Sequence, residues 1–171
     1  LRADGVRGVR LFLIGPDTSP AYIEHIRSFA AAHRLSDQVH WLGAVPHEEL
    51  KHYLVAADVG LIPGLVTRQY KNPGLTTKLF EYMLCGLPVV SADYPHRRVY
   101  IEEAGCGLVV PPEDATAWAD AVLWLRDHPV EARAMGERGR AVVLSRYTWE
   151  REQSRLLSFY RTLLGAPQEQ E

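Results

Sequence analysis

The residues of this chain with the most chemical content lie in the run Asn72-Pro73-Gly74-Leu75-Thr76-Thr77-Lys78-Leu79-Phe80-Glu81-Tyr82-Met83-Leu84-Cys85-Gly86-Leu87-Pro88-Val89-Val90, which reads as a loop, a helix over Thr76 to Cys85 and a strand. Lys78 stands in the first turn of that helix. A cation there opposes the helix dipole, at about 0.3 to 1 kcal/mol, unless an anion occupies the helix start. Gly74 lets the loop approach a ligand closely, the amides of Leu75, Thr76, Thr77 and Lys78 point outward, and Thr76 or Thr77 can cap the helix or donate a hydrogen bond. Together they would cradle a phosphate. Glu81 lies three residues beyond Lys78, on roughly the same face. Its carboxylate could accept hydrogen bonds from a pair of ribose hydroxyls, or could form an exposed pair with Lys78 worth about a few tenths of a kcal/mol. Spacing alone leaves both readings open.

Two neighbouring segments bear on the same chemistry. The stretch from Pro63 to Gly74 is long for a connector and carries Arg68, Tyr70, Lys71 and Asn72, so a ligand site predicts that Arg68, Tyr70 and Lys71 face the helix start, whereas a scaffold predicts no convergence. Arg97 and Arg98 follow Tyr94-Pro95 at the end of a strand, where open α/β sheets bind ligands. They are read as the solvated first turn of the next helix, with a phosphate contact as the alternative.

Other patterns fail on geometry. His47 and His52 sit five residues apart, about 140° around a helix axis, so they cannot share a metal as the metalloprotease helix requires. Gly15-Pro16-Asp17 lacks the Gly-x-Gly-x-x-Gly turn, and Pro16 removes an amide that a pyrophosphate would use. There is neither a Gly-Lys-Ser/Thr phosphate loop nor a Gly-x-Ser-x-Gly elbow. Cys85 and Cys106 have no zinc or disulfide spacing, which fits a reducing cytosol. No metal site is expected.

The elements that must position Lys78 and Glu81 come from a chain of 171 residues, 47% apolar and 23% charged, enough for one sizeable core. A net charge of -2 excludes a surface built for nucleic-acid backbones. The apolar stretch Val55 to Val66 is broken by Asp58, Gly60, Pro63 and Gly64, short of a membrane span. Short apolar runs alternate with amphipathic stretches, the pattern of βα units feeding a parallel sheet. Strands are expected at Val9 to Ile14, Val39 to Leu42, Val59 to Ile62, Pro88 to Ser91 and Gly107 to Val110. Helices are expected after Ser19-Pro20 and Pro46, over Arg98 to Ala104, after Asp114, over Val130 to Ser145 and after Thr148. The fold class is therefore α/β, a Rossmann-like parallel sheet flanked by helices, spanning residues 1–165 and followed by a polar tail over 166–171. The chain opens at Leu1 with no initiator Met and reads as a fragment.

The sequence resembles the C-terminal half of the GT-B glycosyltransferases, in particular the retaining family 4 group that uses nucleotide-sugar donors. The resemblance rests on an ordered set: Leu11-Phe12-Leu13-Ile14-Gly15, Val39-His40-Trp41-Leu42-Gly43, Ala57-Asp58-Val59, Lys78 through Val90, Gly107-Leu108-Val109-Val110-Pro111-Pro112 and Tyr147-Thr148-Trp149-Glu150. It implies that Glu81 is the second glutamate of the family's Glu-x7-Glu motif and binds the donor's ribose. Position 73, where the first glutamate belongs, holds Pro73, so the contact to the donor sugar is missing or supplied differently. It also implies that Val45 meets the base, that Lys78 stabilises the departing diphosphate, and that no metal or other cofactor is required. The implied donor is UDP- or GDP-linked. The diphosphate clamp and the acceptor-binding N-terminal domain of the family lie upstream of this chain, so the piece alone is expected to be inactive. The implied location is cytoplasmic, with peripheral association at the inner membrane face, and the acceptor a sugar or lipid-linked sugar. The final helix crosses to the N-terminal domain in the family, so part of Trp149 to Leu164 is expected to be exposed. The competing readings are another GT-B enzyme, such as a sugar-nucleotide epimerase or glycosidic phosphorylase, and a noncatalytic Rossmann-like scaffold.

Overall fold

The computed structural model describes residues 8–16, 19–64 and 76–164. Two compact units make up the chain, Leu1–Ala56 and Ala57–Glu171. The first contains β1 (Leu11–Ile14), α1 (Pro20–Ala32), β2 (Val39–Gly43) and α2 (His47–Val55). β1 and β2 pair in parallel, Leu11 opposite Val39 and Leu13 opposite Trp41. Ser19 caps α1 by accepting from the Tyr22 amide at 3.4 Å, and Pro20 takes the first helical position, where a missing N–H is harmless. Ile23 and Ala30 of α1 are buried. The apolar spacing of Leu50, Tyr53, Leu54 and Ala57 predicts a buried stripe on α2, yet Leu50 and Leu54 are only half-buried and Tyr53 and Ala57 are exposed. The helix ends at Val55, before Ala57 can join the stripe. His47 and His52 both point to solvent.

The second unit holds β3 (Gly60–Ile62), α3 (Thr77–Leu84), β4 (Val89–Ala92), α4 (Pro95–Ala104), β5 (Gly107–Val110), α5 (Ala115–Asp127), α6 (Pro129–Arg146) and α7 (Trp149–Leu163). Its three strands are parallel in the order β3-β4-β5, with Gly60 opposite Val89 and Val89 opposite Gly107. Successive side chains of a strand point to opposite faces. Val89 accordingly joins Leu79, Met83, Ile101, Cys106 and Val143 on one side, and Val90 joins Val110, Ala121, Leu125 and Ala132 on the other. All four residues of β4 are buried, as a parallel strand covered on both faces requires. The expected α/β class, parallel sheet flanked by helices, is the class observed, with the described strands shared between a two-stranded and a three-stranded sheet.

Asp114 caps α5 through one carboxylate oxygen that accepts from the Thr116 and Ala117 amides, each at 3.0 Å, a contribution of about 1 kcal/mol. α4 begins at Pro95, three residues before the expected Arg98, because proline fits the first helical position. It ends at Gly105, whose φ of 57° is the left-handed cap conformation. On α6 the apolar residues of the sequence predict Met135 and Val142 as inner positions. The buried stripe is instead Ala132, Gly136, Gly139 and Val143, with Met135 and Val142 packed at its sides. A Cβ on Gly136 would lie 1.9 Å from the Gly86 carbonyl oxygen, so α6 meets the end of α3 at backbone distance. On α7, Trp149, Phe159 and Leu163 are exposed, in line with the expectation for that helix.

Candidate functional site

The parallel crossover from β3 to β4 obliges α3 to run back along the sheet, which puts the start of α3 at the carboxyl edge of the strands. That edge is where open parallel sheets bind ligands. Leu79 and Met83 sink into the core beneath α3, and Phe80 packs edge-on against Tyr100 and Tyr147 at ring distances of 5.5 and 5.1 Å. With those side chains facing inward, helical geometry turns Thr77, Lys78 and Glu81 outward. Lys78 and Thr77 are exposed, and Thr76 and Glu81 are half-buried.

Thr76 occupies the N-cap position with extended backbone, but its side chain makes no capping hydrogen bond. The expectation that a threonine hydroxyl closes this helix end is not met by Thr76; its carbonyl instead accepts from the Leu79 amide at 3.1 Å. Among the described residues Lys78 and Glu81 form no ion pair; the pairs present are Arg98 with Asp93 and Glu102, Arg126 with Asp127, and Arg155 with Glu152. The blander of the two readings of Lys78 and Glu81, a mutual surface pair, is therefore not realised. Burial pushes the neighbouring Tyr82 phenol above its usual range, and the Glu81 charge adds to the shift. Burial likewise raises the Cys85 thiol, with Arg140 opposing and Glu81 reinforcing. The Cys106 thiol, deeper in the core, is pushed up to about 11, chiefly by burial.

Arg68, Tyr70, Lys71, Pro73, Gly74 and Leu75 lie outside the described residues. Val45, half-buried between β2 and α2, belongs to the first unit, whereas Thr76, Thr77, Lys78 and Glu81 share α3 and its cap in the second. Arg97 and Arg98 part company. Arg98 grips Asp93 through two nitrogens, Nε to Oδ1 at 2.9 Å, and donates Nη1 to Glu102 at 2.6 Å, so its guanidinium is committed. Its proton is held more tightly than usual, chiefly by the hydrogen bond to Asp93. Arg97 is only 3% exposed and donates Nη1 to the Ile62 carbonyl at 3.2 Å, which overturns its reading as a solvated residue. Sequence pattern had no means of finding that contact, because its partner is a backbone oxygen 35 residues away. Among the described residues no group of three His, Cys, Asp or Glu side chains is arranged to hold a metal ion. No described helix is long and apolar enough to cross a membrane.

A family model described as Glycosyl transferases group 1 matches residues 2–142. The chain belongs to that family. Among its relatives, the D-inositol 3-phosphate glycosyltransferase of Saccharomonospora viridis is 29% identical over 168 residues, which is 96% of this chain and 37% of that protein. The amylovoran biosynthesis glycosyltransferase AmsK of Erwinia amylovora is 38% identical over 91 residues, 53% of this chain and 22% of that protein. Among solved structures, sucrose-phosphate synthase from Thermosynechococcus elongatus superimposes with a TM-score of 0.80 at 30% identity, over 95% of this chain and 40% of that one. HepE of Anabaena, solved with UDP and glucose, gives a TM-score of 0.81 at 16% identity over 94% of this chain and 42% of that one, a likeness of fold. This group 1 glycosyltransferase chain thus spans about two fifths or less of these four proteins.

Proposed function

We propose that the chain is the donor-binding, C-terminal half of a retaining glycosyltransferase of the family 4 type, which transfers a sugar from a nucleoside diphosphate sugar to an acceptor. The observation that carries the reading is the outward arc of α3. Lys78 and Glu81 lie there at the carboxyl edge of the sheet, anchored from below by Leu79 and Met83 and unpaired with each other. A cation and a carboxylate placed this way suit a ligand that carries phosphate at one end and a vicinal diol at the other.

In this reading Glu81 accepts from the ribose hydroxyls, and Lys78 with the α3 amides meets the diphosphate. As the bond from sugar to diphosphate breaks, negative charge grows on the leaving group. A fixed cation and aligned amides stabilise that charge with little reorganisation, the contribution that usually dominates such catalysis. No metal or nucleophilic side chain of this chain is required, and the acceptor and the rest of the cleft belong to an N-terminal domain. HepE, whose solved complexes contain UDP and UDP-glucose, supports a UDP-linked donor, and a relative from Corynebacterium glutamicum named as a GDP-mannose-dependent mannosyltransferase supports a GDP-linked one. Pro73 stands where the family's first glutamate would touch the donor sugar, so the sugar is held by other groups. The parent enzyme is cytoplasmic, working at the inner membrane face.

An NMR titration of the chain with UDP, GDP and ADP tests the assignment. One nucleotide is expected to shift amides clustered from Thr76 to Glu81, and Glu81→Ala to diminish those shifts. Absence of shifts at millimolar nucleotide would refute nucleotide binding by this chain and leave the Rossmann-like scaffold.

A further inference from the structure

Three side chains converge on the backbone where it leaves β3. Arg97 donates Nη1 to the Ile62 carbonyl at 3.2 Å. The Tyr82 hydroxyl donates to the Leu61 carbonyl and the Tyr94 hydroxyl to the Gly64 carbonyl, each at 3.5 Å, the long limit of such a bond. Tyr82 adjoins Glu81 on α3, its ring lying so close to Gly60 that a Cβ there would be 2.3 Å from it. Tyr94 and Arg97 flank the start of α4, with the Arg97 guanidinium carbon 5.4 Å from the Tyr94 ring centroid.

A guanidinium stays charged wherever it is placed, and removing one from water carries a penalty that only well-formed contacts offset. At 3% exposure Arg97 is the one charged side chain buried among the described residues. An apolar residue would fill the same space with less penalty. What it would lack is a donor at the Ile62 oxygen. From that oxygen the chain runs on through Gly64 toward Thr76 and the first turn of α3.

We propose that Arg97 is a positioning residue for the nucleotide site. It fixes the exit of β3 against α4 while Tyr82 ties the same strand to α3, so that Lys78 and Glu81 are presented in one orientation before ligand arrives. This rests on the reading of Lys78 and Glu81 as nucleotide ligands. Preorganisation of this kind acts on affinity without any contact to the ligand, since small misplacement of binding groups is heavily penalised.

The test compares Arg97→Met and Arg97→Lys for nucleotide affinity by calorimetry, using whichever of UDP, GDP or ADP the wild type prefers, and for amide hydrogen exchange at Thr77, Lys78 and Leu79. Folded Arg97→Met is expected to bind about tenfold more weakly, with faster exchange at those amides, while Arg97→Lys, which keeps a charged donor, recovers most of the affinity. If Arg97→Met does not fold, Tyr94→Phe removes one hydroxyl only and is expected to show the same two effects at about two- to threefold. Unchanged affinity in a folded variant overturns the proposal. A wild type that binds none of the three nucleotides overturns the reading it rests on. The exchange at Thr77 to Leu79 then decides the positioning role by itself, unchanged protection in Arg97→Met overturning that as well.

Discussion

Lys78→Ala is expected to weaken binding of the preferred nucleoside diphosphate by about 10- to 100-fold, from the loss of a charge-assisted hydrogen bond worth about 1.5 to 3 kcal/mol. The corresponding nucleoside, which has no phosphate, is expected to bind the variant within about twofold of the wild type. The asymmetry follows from where Lys78 sits. In the first turn of α3 it is exposed, lies outside the core and has no carboxylate partner in Glu81, so its removal leaves no cavity and no stranded buried charge. It also relieves an unfavourable interaction with the helix dipole, so the variant should be as stable as the wild type or slightly more so. The wild-type affinity for the diphosphate should fall with added salt more steeply than that of Lys78→Ala. Equal losses for nucleoside and nucleoside diphosphate would remove the phosphate role.

Gly136→Ala is expected to destabilise the protein by about 2 kcal/mol or more, although alanine is the better helix former by about 1 kcal/mol. The added methyl group would lie 1.9 Å from the Gly86 carbonyl oxygen and 2.7 Å from its carbon. Both are backbone atoms, so no rotamer change relieves the overlap, and α6 must move away from α3. That movement opens the cluster of Leu79, Met83, Cys106 and Val143. Thermal melting followed by circular dichroism should show a midpoint lowered by about 5 °C or more for a chain of this length. Gly15→Ala, where a Cβ meets nothing within 4 Å, is the matched control and should shift little. A Gly136→Ala variant as stable as the wild type would show that the α3–α6 contact has room that its geometry denies.

Which parts of this arrangement could be read from the sequence follows from what kind of signal each part leaves. The strands of the second unit are runs such as Val89-Val90 bounded by Pro88 and Asp93, and the Asp114 and Ser19 caps are local, so both were legible. α3 was legible because Leu79, Phe80 and Met83 recur at one-turn spacing on one face, with Lys78 and Glu81 on the other. The inner face of α6 was not, since Gly136 and Gly139 carry no apolar side chain and a periodicity of hydrophobic residues passes over them to Met135 and Val142. The stripe on α2 was overread, because spacing shows which face is apolar but not whether anything covers it. Within the candidate site, Lys78 stood out as a cation placed against a helix dipole, and Glu81 as the carboxylate three residues beyond it on roughly the same face. Arg97 did not, in a chain with 19 Lys and Arg, because only a tertiary contact separates it from Arg98 beside it.

The sequential order β3-β4-β5 has a consequence for how the second unit comes into being. Each strand pairs with the next one to leave the ribosome, so the sheet can assemble vectorially, one helical crossover at a time. The face formed by Met83 and Cys106 is different: its cover, Val143 and Gly139, comes from α6. A nascent chain that has delivered β5 therefore carries an open apolar face until α6 follows, and that interval, set by the rate of translation, is when the chain is most exposed to aggregation.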